Sequence, residues 1–342
     1  MRLFDQSPDK RSFLIAEIAQ AHDGSLGSAH SFIDLAADLR VDAVKFQTHV
    51  AEAESTYDEE FRIPFSFQDK TRYDYWKRME FTKEDWRGLF MHAKDRGLAF
   101  GTSCFSLAAV DLISDFEIDF WKIGSGEILS EPMIEAMAKT KTPVLLSSGL
   151  AKPKDLVNAV EIIRSNATPF GIFQCTSKYP TRYSEIGLNR IPELREDFRC
   201  PIGLSDHSGE IWPSIAAVAQ GAEMIEFHLA FHKGQFGPDT TASLIPDQVR
   251  ELVNGCEAFA TMIGNPIKKG NWSNEQEEMR KLFGRSIALS RHMNSGEIIS
   301  SEDIIFKKPA SGITAEKVGK VLGRKLVVNK SPERLLTWDD FE

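Results

Sequence analysis

Eight short apolar runs recur along this 342-residue chain, and nearly every one ends in polar residues able to do chemistry. They cover residues 13–18, 43–46, 99–103, 120–123, 143–146, 170–173, 201–204 and 224–227. At or just past their ends stand Glu17, Lys45 with Gln47, Ser103, Lys122 with Ser125 and Glu127, Ser147, Ser177, Asp206 with His207, and His228. Segments of helical period separate them. After Thr82, for example, Trp86, Leu89, Phe90 and Ala93 recur on one face, and Thr82 with Asp85 reads as a capping box. Strand then helix, repeated with short connections, calls for a parallel sheet. Eight repeats favour closure into a (β/α)8 TIM barrel, in which strand C-termini converge on one active site. The polar ends then describe one site, not eight.

The alternation stops near Gly264, so residues 1–263 are expected to form the barrel domain and 264–282 a linker. Residues 283–342 change to short strands and turns, with strands expected at 286–289, 304–307 and 326–328. A module of roughly 60 residues is near the lower limit for an independent core. One connection is anomalous: residues 48–75 form a long insertion containing Phe61, Pro64, Phe65 and Phe67. Long loops in compact domains tend to be functional, and the aromatic content predicts an ordered flap over the site.

Composition excludes several classes. Net charge is -9 without a basic block, which argues against a nucleic-acid partner. No stretch approaches the roughly 18 apolar residues of a membrane span. Residues 1–11 are charged and lack the apolar centre of a signal peptide. The four cysteines, Cys104, Cys175, Cys200 and Cys256, form no CxxC pair, so a reducing cytoplasm is the expected location. No GxGxxG turn or Walker-type loop supports a nucleotide fold.

The residues themselves suggest a chemistry. Lys45 and Lys122, at two strand ends, can straddle one anion, and Ser125, Ser147 and Ser205 add hydroxyl donors for a phosphate or carboxylate. His207 and His228 end neighbouring strands, and two imidazoles on one rim suit a divalent transition metal with open positions. Glu17, Glu127 and Asp239 remain to orient a polyhydroxylated substrate or to act in acid–base steps.

These same residues carry a resemblance. The stretches I-A-E-I-x-x-x-H-x-G (15–24), V-K-F-Q-T (44–48), W-K-I-G-S-G-E (121–127) and L-S-S-G (146–149) resemble the sialic acid synthase family. So do Q-C-T-S-x-Y-P (174–180), G-L-S-D-H (203–207), E-x-H (226–228) and G-P-D-x-x-x-S (237–243). The tail, with S-G-E (295–297), K-K-P-x-S-G-I (307–313) and L-T-W-D-D (336–340), is similar to the family's antifreeze-like SAF domain.

The resemblance implies a transferase that condenses phosphoenolpyruvate with an N-acetylmannosamine-type sugar, giving a nonulosonic (sialic) acid and phosphate. It implies that Lys45, Lys122, Ser125, Ser147, Ser177 and Ser205 hold phosphoenolpyruvate. Gln47, Glu17, Glu127, Tyr179 and Asp239 would address the sugar, and His207 with His228 would hold a divalent, manganese-like metal, Mn(II). A homodimer is implied, with the SAF domain over the partner's barrel and Lys308 facing the substituent at the sugar's second carbon. Three positions depart from the family pattern. Ala19 and Ala21 replace the Gly and Asn of G-x-N-H, Phe227 replaces a basic residue, and Lys308 replaces an arginine whose planar fork lysine cannot reproduce. These changes bear on the sugar. Alternatives are a legionaminate, pseudaminate or deaminated nonulosonate synthase, and, from another class, a non-catalytic carbohydrate-binding protein.

Overall fold

The computed structural model describes residues 10–267, 270 and 272–342. Most of the charged N-terminal segment, and positions 268, 269 and 271 of the expected linker, lie outside the described residues. The chain divides into two compact units, Met1–Asn265 and Pro266–Glu342.

The first unit is a closed barrel of eight parallel strands in sequence order. They are β1 (Phe13–Glu17), β2 (Ala43–Thr48), β3 (Ala99–Cys104), β4 (Phe120–Ile123), β5 (Val144–Ser147), β6 (Phe170–Cys175), β7 (Ile202–Asp206) and β8 (Met224–His228). Strand β8 pairs with β1 and closes the ring. Most strands run past the apolar stretches that announce them, taking in Gln47, Ser147, Asp206 and His228. A parallel ladder is made by the backbone, so it continues wherever neighbouring chains stay in register, whatever the side chains.

Alternation along each strand sorts side chains between two cores. Leu14, Ala16, Val44, Phe46, Phe100, Trp121 and Leu146 face outward into the large core beneath the helices. Phe13, Ile15, Ala43, Phe120, Leu145, Phe173 and Met224 point inward and fill the lower barrel. That layer is packed large against small. A Cβ on Gly101 would come within 2.1 Å of the Phe120 ring, so only glycine leaves the ring its place. The filled lower half forces any ligand to the upper end, where the inward positions turn polar.

The insertion at 48–75 is ordered but is not all loop. It contains the helix Ala51–Glu54 and the start of another, Arg72–Met79, capped by the Thr71 side chain. Ala51, Tyr75, Trp76 and Met79 make a small core with Phe61, Phe65 and Tyr73. Arg78 pairs with Asp69 at 2.7 Å and Asp23 at 2.6 Å, anchoring the insertion to the loop after β1. Phe67, expected among the ordering aromatics, is 96% exposed and stands outside this core.

In the second unit, Ser273 and Gln276 form the expected capping box for a helix, Asn274–Phe283. Strands β9 (Ser286–Leu289) and β10 (Ile304–Lys307) pair antiparallel over a core including Ile287, Leu289, Met293, Ile299 and Leu336. The strand expected at 326–328 does not form. Leu326 enters the core, but the segment makes only the single bridges Ile298↔Lys325 and Leu326↔Phe341, with Val327 and Val328 half exposed. Among the described residues no helix is long and apolar enough to cross a membrane. All four cysteines are free and buried, as small hydrophobes should be.

Candidate active site

Register decides which polar residues meet. Glu17 is level with Lys45 on one side and His228 on the other. Gln47 is level with Ser103, Ser103 with Lys122, and Ser205 with both Cys175 and Glu226. All of these positions face inward, above the aromatic layer of the lower barrel.

The centre is a buried charge cluster. Lys45 and Lys122 are each only 3% exposed. Lys122 Nζ donates to Ser147 Oγ at 2.5 Å and to Glu226 Oε1 at 3.2 Å, and it lies 5.1 Å from the centre of the Phe173 ring. Lys45 Nζ donates to Ser103 Oγ at 3.2 Å, lies 2.6 Å from Glu17 Oε2, and is 3.9 Å from Glu226 Oε2. Ser205 Oγ donates to Glu226 Oε1 at 2.8 Å, and Gln47 Nε2 to Glu17 Oε1 at 2.9 Å. Burial works against a charge on Glu226, but the ammonium groups of Lys122 and Lys45 outweigh it and hold the carboxyl well below the usual range. Glu17 goes the other way: burial pushes its carboxyl up, and Lys45 only partly offsets that. Glu17 Oε2 and Glu226 Oε2 are buried without a hydrogen-bond partner. For Glu17, the Lys45 ammonium stands 2.6 Å from that oxygen as an ion-pair partner.

A hydroxyl cluster adjoins it. Ser125 Oγ lies 3.6 Å from Cys175 Sγ. A Cβ on Gly149 would come within 2.6 Å of Ser177 Oγ and 2.7 Å of Ser125 Oγ, so this glycine keeps open the space where the two hydroxyls converge.

The two histidines stand together at the mouth, with ring centres 5.4 Å apart. His207 Nδ1 donates to the Thr176 carbonyl at 2.9 Å, which turns Nε2 toward the Tyr179 hydroxyl at 3.1 Å. Burial disfavours a charge on His207, yet the Cys175 thiol and the Thr176 carbonyl raise its pKa overall. Burial and the neighbouring His207 drive His228 well below its usual value, so this imidazole is neutral. Asp239 Oδ2 lies 3.9 Å from His228 Nδ1. Among the described residues no set of three His, Cys, Asp or Glu side chains is gathered for a metal. The donor set fits an ion held by two imidazoles, with its other positions left to water and substrate. Such an ion would compete with the His207 proton.

Above lies a cavity of about 350 Å³, lined on the barrel side by Gln47, Glu127, Tyr179, His228 and Asp239 and on the flap side by Phe61, Arg62, Ile63, Phe65 and Trp76. Burial, then the nearby Glu54 charge, raises the Glu127 carboxyl. Of the residues expected at the site, Glu17, Lys45, Gln47, Lys122, Ser147 and Ser205 join the central cluster, Ser125 and Ser177 meet over Gly149, and Tyr179, His207, His228 and Asp239 share the mouth. Lys308 belongs to the second unit, where its Nζ lies 5.1 Å from the centre of the Phe283 ring.

Sequence reasoning missed two groups. Glu226 was visible only as the first residue of E-x-H, although its spacing from His228 puts both on one strand face. His49 is buried between Trp76 and Phe105, with ring centres at 4.2 and 4.8 Å, and its Nδ1 lies 2.7 Å from Glu54 Oε1. Ala19, which departs from the expected glycine, holds φ 45°, the left-handed region that glycine adopts without strain.

A barrel that gathers buried lysines, carboxylates and imidazoles at its strand C-termini has the layout of a barrel enzyme. Residues 32–268 match the NeuB family and residues 284–342 the SAF domain. The N,N'-diacetyllegionaminic acid synthase of Campylobacter jejuni is 30% identical over 333 residues, covering 96% of this chain and 99% of that enzyme. The N-acetylneuraminate-9-phosphate synthase of Homo sapiens is 30% identical over 322 residues, covering 92% and 89% respectively. The crystal structure of an N-acetylneuraminic acid synthetase from Leptospira borgpetersenii serovar Hardjo-bovis, in complex with citrate, superposes with a TM-score of 0.69 at 30% identity. It covers 79% of this chain and 91% of that one. The chain belongs to the NeuB family, whose named relatives are synthases of sialic, legionaminic and pseudaminic acids.

Removing the carboxylate from the cluster should be costly. Glu226→Gln leaves two buried ammonium groups short of a counter-charge, and about 3–5 kcal/mol of stability should be lost in urea unfolding. The Glu226→Gln, Lys122→Met double variant should lose less than the two single losses added. A loss below about 1 kcal/mol, as for an exposed pair, would contradict a shared buried charge.

Proposed function

We propose that the protein condenses phosphoenolpyruvate with an N-acetylmannosamine-type sugar, giving a nonulosonic acid and phosphate. The observation that carries this reading is the pair of buried lysines on one carboxylate, directly beneath a mouth holding two imidazoles. A trianion with a phosphate and a carboxylate needs two fixed cations, and a neutral sugar alone needs neither. That contrast favours a synthase over a non-catalytic carbohydrate-binding protein.

Lys45 and Lys122 would each take one charged end of phosphoenolpyruvate, with Ser147 and Ser205 donating beside them and Ser125 and Ser177 over Gly149. Binding would transfer the lysines from internal carboxylates to the ligand. Gln47, Glu127, Tyr179 and Asp239 line the adjoining cavity and would orient the open-chain sugar, so that its aldehyde carbon faces the enol carbon. His207 and His228 would hold a divalent transition ion, preferably Mn(II), which when bound supplies Lewis-acid polarisation of the aldehyde. As the carbon–carbon bond forms, the aldehyde oxygen needs a proton. Glu127, whose carboxyl holds its proton above the ordinary range, would supply it. Water then adds at C2 and would pass one proton to the Glu17 carboxylate; as C2 becomes the keto carbon its bond to the phosphate oxygen breaks, and the departing phosphate would carry away the second proton of that water.

Phosphate release from phosphoenolpyruvate should therefore occur with an N-acylated hexosamine of the manno series, among a panel of hexosamines. It should cease on chelation and return with Mn(II) better than with Mg(II). No release with any sugar, metals supplied, would overturn the synthase reading. Full activity of metal-stripped His207→Ala would overturn the metal assignment.

We further propose that the protein works as a homodimer in which the SAF unit of one chain completes the barrel of the other through Lys308. Lys122→Met and Lys308→Glu, each inactive alone, should then regain activity when mixed under subunit exchange, because one barrel would meet an intact SAF unit. Demonstrated exchange without regained activity would contradict action in trans.

A further inference from the structure

In the outer helical layer two imidazoles meet nose to nose. His30 lies on the helix Leu26–Asp38 and His92 on the helix Lys83–Asp95, and these helices bury Phe32, Ile33, Trp86 and Leu89 in the same core. The two Nδ1 atoms stand 2.8 Å apart and the ring centres 5.0 Å. Both histidines are half-buried, so the pair is within reach of water.

Their hydrogen bonds fix the tautomers. Asp34, one turn on from His30, places Oδ1 3.1 Å from His92 Nε2. A carboxylate only accepts, so His92 Nε2 carries the proton and its Nδ1 presents a lone pair. His30 Nδ1 then donates across the gap. A histidine whose far nitrogen is held by a carboxylate is arranged as in metal centres, where that bond fixes the ring and raises its basicity. Arg96, the neighbouring cation, spends its charge on Asp34 and Asp38, at 3.3 and 2.6 Å.

The spacing suits an ion as well as a proton. Two nitrogens bound at about 2.0–2.1 Å to one ion stand about 2.9–3.4 Å apart, close to the gap already present. The ring centres are as near to each other as those of His207 and His228 at the barrel mouth, 5.4 Å apart. Here, however, the pair bridges two helices and not two strand ends.

We propose that His30 and His92 form a further transition-metal site, taking a zinc-like divalent ion between their Nδ1 atoms. Water fills its other positions, and Asp34 orients His92 from behind. Imidazole suits Zn(II), Cu(II) and Ni(II), whereas Mg(II) and Ca(II) want oxygen. The ion replaces the shared proton, which passes through water to His30 Nε2, so each ring stays neutral and keeps one N–H. Bound there, the ion ties the helix after β1 to the helix before β3. The site stands apart from the reaction proposed for the barrel.

The test is calorimetric titration of Zn(II) into chelator-treated, dialysed wild type, His30→Ala, His92→Ala, Asp34→Ala and His207→Ala. Wild type should take up one more equivalent of Zn(II) per chain than His30→Ala or His92→Ala. Asp34→Ala keeps both imidazoles and should weaken that equivalent by about tenfold or more, the scale for losing an orienting partner. His207→Ala should retain it, because an ion at the mouth is a different one. Equal uptake by wild type and both His30→Ala and His92→Ala overturns the site and leaves a pair that shares a proton. So does a wild type that takes up no Zn(II), or loss of all uptake in His207→Ala. If neither histidine variant folds, Asp34→Ala decides alone, and affinity unchanged from wild type overturns the site.

Discussion

Two ammonium groups sit near the axis of this barrel, almost sealed from water, and the Glu226 carboxylate between them makes that arrangement possible. Isolated charges cannot be buried at acceptable cost, whereas paired and hydrogen-bonded ones can. Glu226 meets Lys122 directly and Lys45 at longer range, while Ser205 satisfies one of its oxygens. Glu17 adds a second carboxyl 2.6 Å from Lys45 Nζ. Internal carboxylates hold both lysines in place. Buried lysines elsewhere tend to shed their protons. Here the nearby carboxylates keep the Lys45 pKa above its ordinary value despite burial.

The remainder of the site is layered on that cluster. The aromatic lower barrel closes the floor and forces a ligand upward. The hydroxyls around Gly149 and the imidazoles at the mouth are carried by the loops and last strand residues that the parallel register aligns. The flap is a separate, self-packed piece, tied down by Arg78 and touching the mouth through Arg62. Under the proposed function, chemistry near the axis and selection at the rim would rest on different elements.

The barrel was legible because its signal is redundant: eight apolar runs with polar ends leave little choice of fold. Lys45, Lys122, His207 and His228 could be placed together because each closes or closely follows an apolar run, and the C-terminal parts of the strands converge. Glu226 was harder. Its role is set by lysines 104 and 181 residues away, and sequence spacing carries no trace of such a contact. His49 was hidden for a similar reason, since Trp76 and Phe105 enclose it from two different connections. The failed strand at 326–328 marks the opposite limit. Its β-branched residues have the propensity, but a strand needs a continuous partner and this segment finds only single bridges.

The most direct measurement is calorimetric titration of phosphoenolpyruvate, without sugar, into wild type, Lys45→Met and Lys122→Met. If the buried lysines are the anion well, wild type binds and each substitution weakens binding by about 30-fold or more, the scale for removing one partner of a buried charge pair. Affinities equal to wild type within about twofold, in variants that melt normally, would place the anion elsewhere and contradict the role given to the cluster.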